Sequence, residues 1–478
     1  MLSETYPASK KEVLYLKIAN ILAQQIRSGV LKVGDKLPSI RTVEKIYQVS
    51  INTAKQAYME LEKKGFIEAR PKSGYFVSSA LQRKLSVPSV SAPDTAEARE
   101  PGDLLKKAFD SLSIPGMTQL SFGVPDPSLL PVEKLNRSVV KMLRTLPDSG
   151  LAYDTPQGSF NLRKNICHWA FVWGGNLRED DIITTSGTSN AFYNALMATT
   201  KPGDTIAVES PVYFNLLQIA YSLGLKVIEL PTHPLTGIDP DALKSVLHKI
   251  QACALISNFS NPLGSCMPEE HKKAVVKMLA ARGIPLIEDD IYGDIFFNDK
   301  RPVPCKAYDE EGMVLWCSSV SKTLAPGYRV GWVAPGKYKD KILRQKLLQT
   351  IGIPSLYQEV VADFMQNGRY EHHLRNLRRA LHANSLQYLS AIEEFFPEGT
   401  MVSRPKGGFM LWTELDKRVN TVDLFETALK YKISITPGRM FTLQDQFYNC
   451  MRLSYGLNWT PEIRDKLSLL GRLIKNMI

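Results

Sequence analysis

The sequence predicts a multidomain chain: a small, mainly helical module closed by a β wing, a connector, and a large α/β body with a mostly parallel sheet. Three observations predict it. The 478 residues exceed one ordinary domain. Positive charge gathers at the N-terminal end, where residues 1–80 carry 13 Lys and Arg against 7 Asp and Glu, while the other 398 carry 46 against 41. From Pro115 onward, short apolar runs alternate with longer helical stretches, as in a sheet covered by helices.

Composition narrows the class. With 44% hydrophobic and 22% charged residues the chain can build a large core. No apolar run reaches the roughly eighteen residues of a membrane span, and no signal-peptide core stands at the N-terminus. The six cysteines are scattered without a CxxC pair, which suits reduced thiols in a cytoplasmic protein. The seven histidines form no HExxH, so no metal site is expected.

The N-terminal module, residues 1–78, reads as three helices and a hairpin. Ala19, Leu22, Ala23 and Ile26 recur at helical spacing, ending at Gly29. Ser39 is placed to cap a second helix carrying Val43, Ile46 and Tyr47. After Gln48-Val49, Ser50 is placed to cap a third, with Ala54, Ala57, Tyr58 and Leu61 inward and Gly65 as its stop. Phe66–Ala69 and Tyr75–Val77 read as strands around Pro71-Lys72-Ser73-Gly74. This is a winged helix-turn-helix. The third helix offers Ser50, Asn52, Thr53, Lys55 and Gln56 outward, short polar and basic groups suited to phosphates and base edges in a major groove, and Lys72 tips the wing.

Residues 79–103 lose periodicity, and Ser86-Val87-Pro88-Ser89-Val90-Ser91-Ala92-Pro93 reads as an extended, semi-flexible connector. The body then occupies 104–478, with a large domain at about 150–335 and a smaller α+β domain at about 336–478. Its candidate strands are Asp181–Thr185, Thr205–Glu209, Cys253–Ser257, Pro285–Glu288 and Met313–Cys317. Open α/β sheets bind ligands beyond the carboxyl ends of their strands, so the residues there are the candidates. They are, in order, Gly187-Thr188-Ser189 opening a helix, then Tyr213, Asn261, Asp289 with Tyr292, and finally Ser319, Ser321, Lys322 and Arg329.

This assortment suits a phosphate-bearing pyridine aldehyde. Lys322 supplies an amine to condense with the aldehyde, and a buried carboxylate keeps a ring nitrogen protonated. Helix amides, hydroxyls and Arg329 suit a phosphate, and an aromatic ring suits stacking. Singly, Thr188 also suits a helix cap, Tyr213 a core position and Glu288-Asp289-Asp290 a solvated acidic turn. Their ordered appearance at successive strand ends favours the site.

Two resemblances follow from these residues. Gly29 to Arg41, with Gly34-Asp35-Lys36-Leu37-Pro38-Ser39-Ile40-Arg41, and Ala57 to Gly65 resemble the GntR-type DNA-binding domain over residues 12–78. That resemblance implies DNA contacts from Arg41 and from the start of the third helix. Ile51 stands where many members place an arginine, which shifts the expected contacts to Asn52, Thr53 and Lys55. From about Gln119 onward the order resembles the class I/II aminotransferases of fold type I. By that resemblance Lys322 forms the aldimine with pyridoxal 5'-phosphate (PLP), Asp289 pairs with the pyridine nitrogen, and Tyr292 and Asn261 bind the ring hydroxyl. Gly187, Thr188, Ser189, Ser319, Ser321 and Arg329 hold the phosphate, and Tyr213 stacks on the ring. Tyr153, in Tyr153-Asp154-Thr155-Pro156-Gln157-Gly158, reaches a neighbouring subunit's phosphate, which implies a homodimer. Arg452, in Met451-Arg452-Leu453-Ser454, clamps a substrate carboxylate, and Asn261-Pro262-Leu263-Gly264 has Leu where Thr is frequent.

A GntR-type reader joined to an aminotransferase-like body resembles the MocR subgroup of transcription regulators. The resemblance implies a PLP-dependent regulator that binds a double-stranded DNA operator and senses an amine or amino acid by aldimine exchange at Lys322. Two alternatives stay open, a working aminotransferase that also binds DNA and a regulator that senses PLP itself.

Overall fold

The computed structural model describes residues 14–27, 30–70, 73–78, 85–92 and 104–478. They divide into two compact units, Met1–Lys84 with Ser385–Glu393, and Leu85–Asn384 with Glu394–Ile478.

In the N-terminal unit, helices α1 (Leu14–Arg27), α2 (Ile40–Tyr47) and α3 (Ile51–Lys63) are followed by strands β1 (Ile67–Arg70) and β2 (Gly74–Val77). Each of the two later helices starts on a serine: Ser39 Oγ accepts from Thr42 N and Ser50 Oγ from Thr53 N, both at 3.1 Å. Such caps satisfy amides that the helix leaves free and contribute about 1 kcal/mol each. Gln48 turns the chain between α2 and α3 in the left-handed region, φ 50°. The helix spacing predicted from sequence is realised on α3, where Ala54, Ala57, Tyr58 and Leu61 are fully buried. They pack with Ile18, Leu22 and Val43, and Tyr58 OH donates to Pro38 O at 2.6 Å. α2 carries Val43, Ile46 and Tyr47 as expected; Val43 alone of them is buried, and Ile46 is 61% exposed. The hairpin pairs Ile67 with Val77 and Glu68 with Phe76.

In the body, strands β3 (Ile183–Thr185), β4 (Thr205–Ser210), β5 (Lys226–His233), β6 (Gly237–Ile238), β7 (Ala252–Leu255), β8 (Leu286–Asp289), β9 (Val314–Ser319) and β10 (Gly331–Ala334) form one sheet in the order β3-β10-β9-β8-β7-β4-β5-β6. Neighbours from β9 through to β5 run parallel, and β10 and β6 pair antiparallel. Both faces are covered, so successive side chains enter opposite cores. Ile206 and Val208 join one cluster and Ala207 the other; Ala252 and Ala254 likewise oppose Cys253 and Leu255. The sequence identifies five of these strands. It misses β5, whose run is broken by Glu229 and Pro231. Glu229 is nevertheless buried, its carboxylate accepting from Ser210 Oγ, Thr442 Oγ1 and Leu443 N at 2.5–2.9 Å.

A four-stranded antiparallel sheet follows, of β11 (Met401–Val402), β12 (Met410–Glu414), β13 (Thr436–Pro437) and β14 (Cys450–Ser454), in the order β11-β12-β14-β13. Three helices matter for the site: α4 (Leu104–Asp110), α5 (Gly187–Thr199) after β3, and α6 (Phe214–Ser222) after β4.

Residues 85–92, read from sequence as part of a semi-flexible connector, are held against the body. Val402 N donates to Ser86 O at 2.9 Å. Ser89 donates from N and Oγ to Glu414 at 2.8 and 3.2 Å. Ser91 is buried; its Oγ donates to Ser210 O at 2.6 Å and accepts from Thr232 N at 2.9 Å. Among the described residues, no helix is long and apolar enough to cross a membrane.

Candidate functional site

The carboxyl ends of β3, β4, β7, β8 and β9 converge on one cavity. Thr188, Ser189, Tyr213, Asn261, Asp289, Tyr292, Ser321, Lys322 and Arg329 all line it. Strand geometry sorts the acids of β8. Asp289 faces the cavity, and its Oδ1 accepts from Ile291 N at 3.0 Å. Glu288 points away to Ser257 Oγ (2.5 Å), Cys305 N (2.6 Å) and Lys306 N (2.9 Å). Asp290 takes Arg301 at 2.6 Å and the Trp316 indole N–H at 2.9 Å. Three consecutive carboxylates therefore have three separate partners.

Burial pushes the Asp289 carboxyl up from 3.8 to about 7; the Ile291 amide and Lys322 pull it down, and Asp290 pushes it up. Lys322 is lowered from 10.5 to about 8 by desolvation, then by the Arg452 charge, with Asp289 opposing. Its Nζ donates to Gly123 O. Burial also raises the Tyr213 and Tyr292 phenols. Asn261 Nδ2 donates to Tyr292 OH at 3.5 Å.

At the other end of the cavity stands the N-terminus of α5, a helix end that favours anions. Thr188 Oγ1 there is buried without a hydrogen-bond partner among the described residues. Arg329 adopts a left-handed backbone, φ 55°, and its Nη1 donates to Ser321 Oγ at 3.2 Å while Nη2 donates to Ser186 O at 3.3 Å. Gly187, φ 76°, lets this guanidinium come close, because a Cβ there would lie 2.2 Å from Arg329 Nη2. A helix end, an unpaired hydroxyl and a guanidinium at one place fit the phosphate of PLP. The amine and carboxyl at the other end fit its aldehyde and ring nitrogen.

Besides Gly187, which lies against Arg329 but not in the lining, three expected residues lie elsewhere. Ser319 ends β9 and is buried outside the cavity lining, its Oγ accepting from Ser321 N at 3.2 Å. Tyr153 is 85% exposed and also outside the lining. Arg452 lines an adjoining cavity that shares Tyr213, Asn261, Tyr292 and Lys322 with the first. It is buried, donating to Asn261 Oδ1 (2.9 Å), Ser121 O (2.5 Å) and Thr436 Oγ1 (3.2 Å), and its Nε has no partner among the described residues. The sequence reading misses Asn215, which lines the first cavity and donates to Ser189 Oγ at 3.1 Å. Its place two residues after Tyr213 in the first turn of α6 was the available signal.

On the N-terminal unit, Arg41, Ser50, Asn52, Lys55 and Gln56 are exposed and Thr53 is half-buried. Ser50 Oγ and Thr53 Oγ1 hydrogen-bond each other at 2.9 Å within the cap. Lys72 lies outside the described residues.

Residues 118–466 match the aminotransferase class I and II family, and residues 14–77 match the bacterial regulatory proteins of the gntR family. The chain is 38% identical over 474 residues to the HTH-type transcriptional regulator YjiR of Escherichia coli (strain K12), spanning 96% of this chain and 98% of that one. This chain belongs to the GntR–aminotransferase fusions of MocR type. YdcR of the same organism, also named an HTH-type transcriptional regulator, is 34% identical over 97% of this chain and 99% of its own. Among solved structures, kynurenine aminotransferase of Pyrococcus horikoshii superposes with a TM-score of 0.74 at 26% identity, over 80% of this chain and 96% of that one. That enzyme's structure is a complex with PMP, KYN as substrates and KYA as products. This MocR-type chain thus unites a GntR DNA-binding domain with a fold-type I aminotransferase domain, as its sequence implied.

Proposed function

We propose that the chain is a DNA-binding transcription regulator whose body holds PLP on Lys322 and senses an amine or amino acid there. The observation that carries this is the convergence of Lys322, Asp289 and Arg329 on one cavity, with the buried Arg452 in the cavity beside it. When bound, PLP supplies an aldehyde for amines and an electron-withdrawing ring. Lys322, with its pKa lowered to about 8, presents a substantial share of neutral amine near that pH. Asp289 holds the ring nitrogen, Asn261 and Tyr292 the ring hydroxyl, and Tyr213 stacks on the ring. Gly187, Thr188, Ser189, Ser321 and Arg329 hold the phosphate, with Ser319 supporting the Ser321 amide. Arg452 orients the ligand's carboxylate. Arg41, Asn52, Lys55 and Gln56 meet the operator, with Ser50 and Thr53 at the same helix end and Lys72 on the wing.

A homodimer completes the reading. Exposed Leu151 (90%) and Tyr153 (85%) suit burial against a second copy. Light scattering that returns a monomer retaining PLP would remove this part.

The deciding experiment titrates the PLP-loaded protein with amino acids and amines while following the cofactor's visible band. A stable shift without pyridoxamine phosphate supports a sensor. Conversion to pyridoxamine phosphate, reversed by a keto acid, makes the chain a working aminotransferase, a reading favoured by the completeness of the amine, carboxyl and guanidinium set. A response to PLP alone, with none to any amine, supports sensing of the vitamer.

A further inference from the structure

The cavity that holds Arg452 carries information about the ligand's side chain, and the inference rests on the proposed role of Lys322. The two cavities meet at Lys322 and then diverge in chemistry. The first runs to the α5 N-terminus and Arg329. The second holds its charges in Lys322 and Arg452, and among the described residues no carboxylate and no third cation line it. Ser121, Asn261, Thr436, Tyr213 and Tyr292 add neutral polar groups to its lining, and Leu105, Ala108 and Phe109 of α4, with Phe122, Phe214 and Met440, form an apolar wall.

Two features point to a ligand. Arg452 is 3% exposed, has no carboxylate partner among the described residues, and leaves Nε unpaired. A buried cation without a counter-charge favours an anion beside it. In addition, α4 buries none of its side chains, and Phe109 is 51% exposed although its ring meets Phe214 edge-on at 6.3 Å. The apolar face and the cation therefore border one space.

We propose that the effector is an α-amino acid with an uncharged, apolar side chain of leucine size or larger. Its carboxylate sits on Arg452 and its side chain against Leu105 and Phe109. An acidic side chain would meet no third cation there, and a lysine side chain no carboxylate. The same helix reports on Arg452. Ser111 Oγ donates to Ala108 O at 2.6 Å and is hydrogen-bonded to Ser434 Oγ at 3.1 Å. Ser434 Oγ meets Ser121 Oγ at 2.6 Å, and the Ser121 carbonyl accepts from Arg452. Since α4 is the first described element after residues 85–92, the side chain is read at the start of the body, beside the connector in sequence.

The test uses the full-length, PLP-loaded protein and follows the visible band with leucine, phenylalanine, alanine, glutamate and lysine. Leucine and phenylalanine should bind at least about tenfold more tightly than the other three, the scale on which apolar pockets discriminate. In Phe109→Ala the leucine-to-alanine preference should collapse towards one, and Phe109→Leu should restore it. Leu105→Arg should raise glutamate above leucine. Because α4 is exposed, these variants keep the core intact, which circular dichroism checks. A wild-type preference for glutamate, lysine or alanine, or a preference unchanged in Phe109→Ala, overturns the side-chain reading and leaves the cofactor reading standing. No PLP uptake, or no response to any amino acid, overturns both.

Discussion

Replacing Asp289 with Asn should strengthen the cofactor-free protein and weaken its hold on PLP. The carboxyl is 7% exposed and raised from 3.8 to about 7, mainly by burial. Between those values the folded chain keeps a proton that the unfolded chain releases, so stability falls as pH rises through that window. About 3 pK units at 1.36 kcal/mol each give a ceiling of about 4 kcal/mol lost by pH 8, and nothing lost below pH 4. Asp289→Asn removes that titration. The variant should therefore gain on the wild type progressively from pH 4 to 8. Glu229 is also raised by burial and is shared by both proteins, whereas Glu209 is raised by burial and partly by the Asp289 charge, so the difference between the two curves reports Asp289 together with its coupling to Glu209. Urea unfolding followed by tryptophan fluorescence suits the measurement, since all six tryptophans, at 169, 173, 316, 332, 412 and 459, lie in the body. A difference that does not change with pH, or a wild type more stable at pH 8, would refute the buried-acid argument. Retention of PLP by the variant at the wild-type level would refute the pairing with the ring nitrogen.

Thr188→Val should leave the cofactor-free protein as stable or about 1 kcal/mol more stable, because it removes a buried unpaired hydroxyl; equilibrium dialysis should show about tenfold weaker PLP retention, and unchanged retention would take Thr188 off the phosphate. Gly158→Ala should cost roughly 2–5 kcal/mol in thermal or urea unfolding, since φ is +93° and a Cβ would sit 1.7 Å from Thr184 Oγ1. Lys55→Ala should weaken DNA binding across sequences and reduce the slope of log Kobs against log salt by about 0.9, leaving the cofactor band unmoved. An unchanged slope would mean that Lys55 touches no phosphate.

The candidate site was legible where side chains at strand ends line the cavity. Lys322, Asp289, Asn261 and Tyr213 each follow an apolar run, and a parallel sheet delivers such positions to one edge. What escaped was carried by backbone or by distant partners. Gly123 and Ser121 meet Lys322 and Arg452 through carbonyls, which any residue supplies. Ser319 looked equivalent to Ser321, yet lies in the strand and outside the cavity lining. β5 is not among the candidate strands; Glu229 interrupts its apolar run, and the groups that satisfy its carboxylate, Thr442 and the Leu443 amide, lie more than 200 positions away. Residues 85–92 have the Ser and Pro content of a spacer; their partners are 119 to 325 positions distant.

That short stretch sets a limit of travel. Ser89 is fast to Glu414 on one sheet and Ser91 to Ser210 and Thr232 on the other. Two residues of extended chain reach at most about 7 Å. The two lobes thus cannot part at this edge beyond that span without releasing one serine. Ser210 is also three residues before Tyr213, so the tether is moored at the root of the ring that walls both cavities. Tension applied along the chain at residue 85 is borne first by Arg404, which donates to Leu85 O, then by Met401–Val402 and Glu414, and only then by the strand beneath Tyr213.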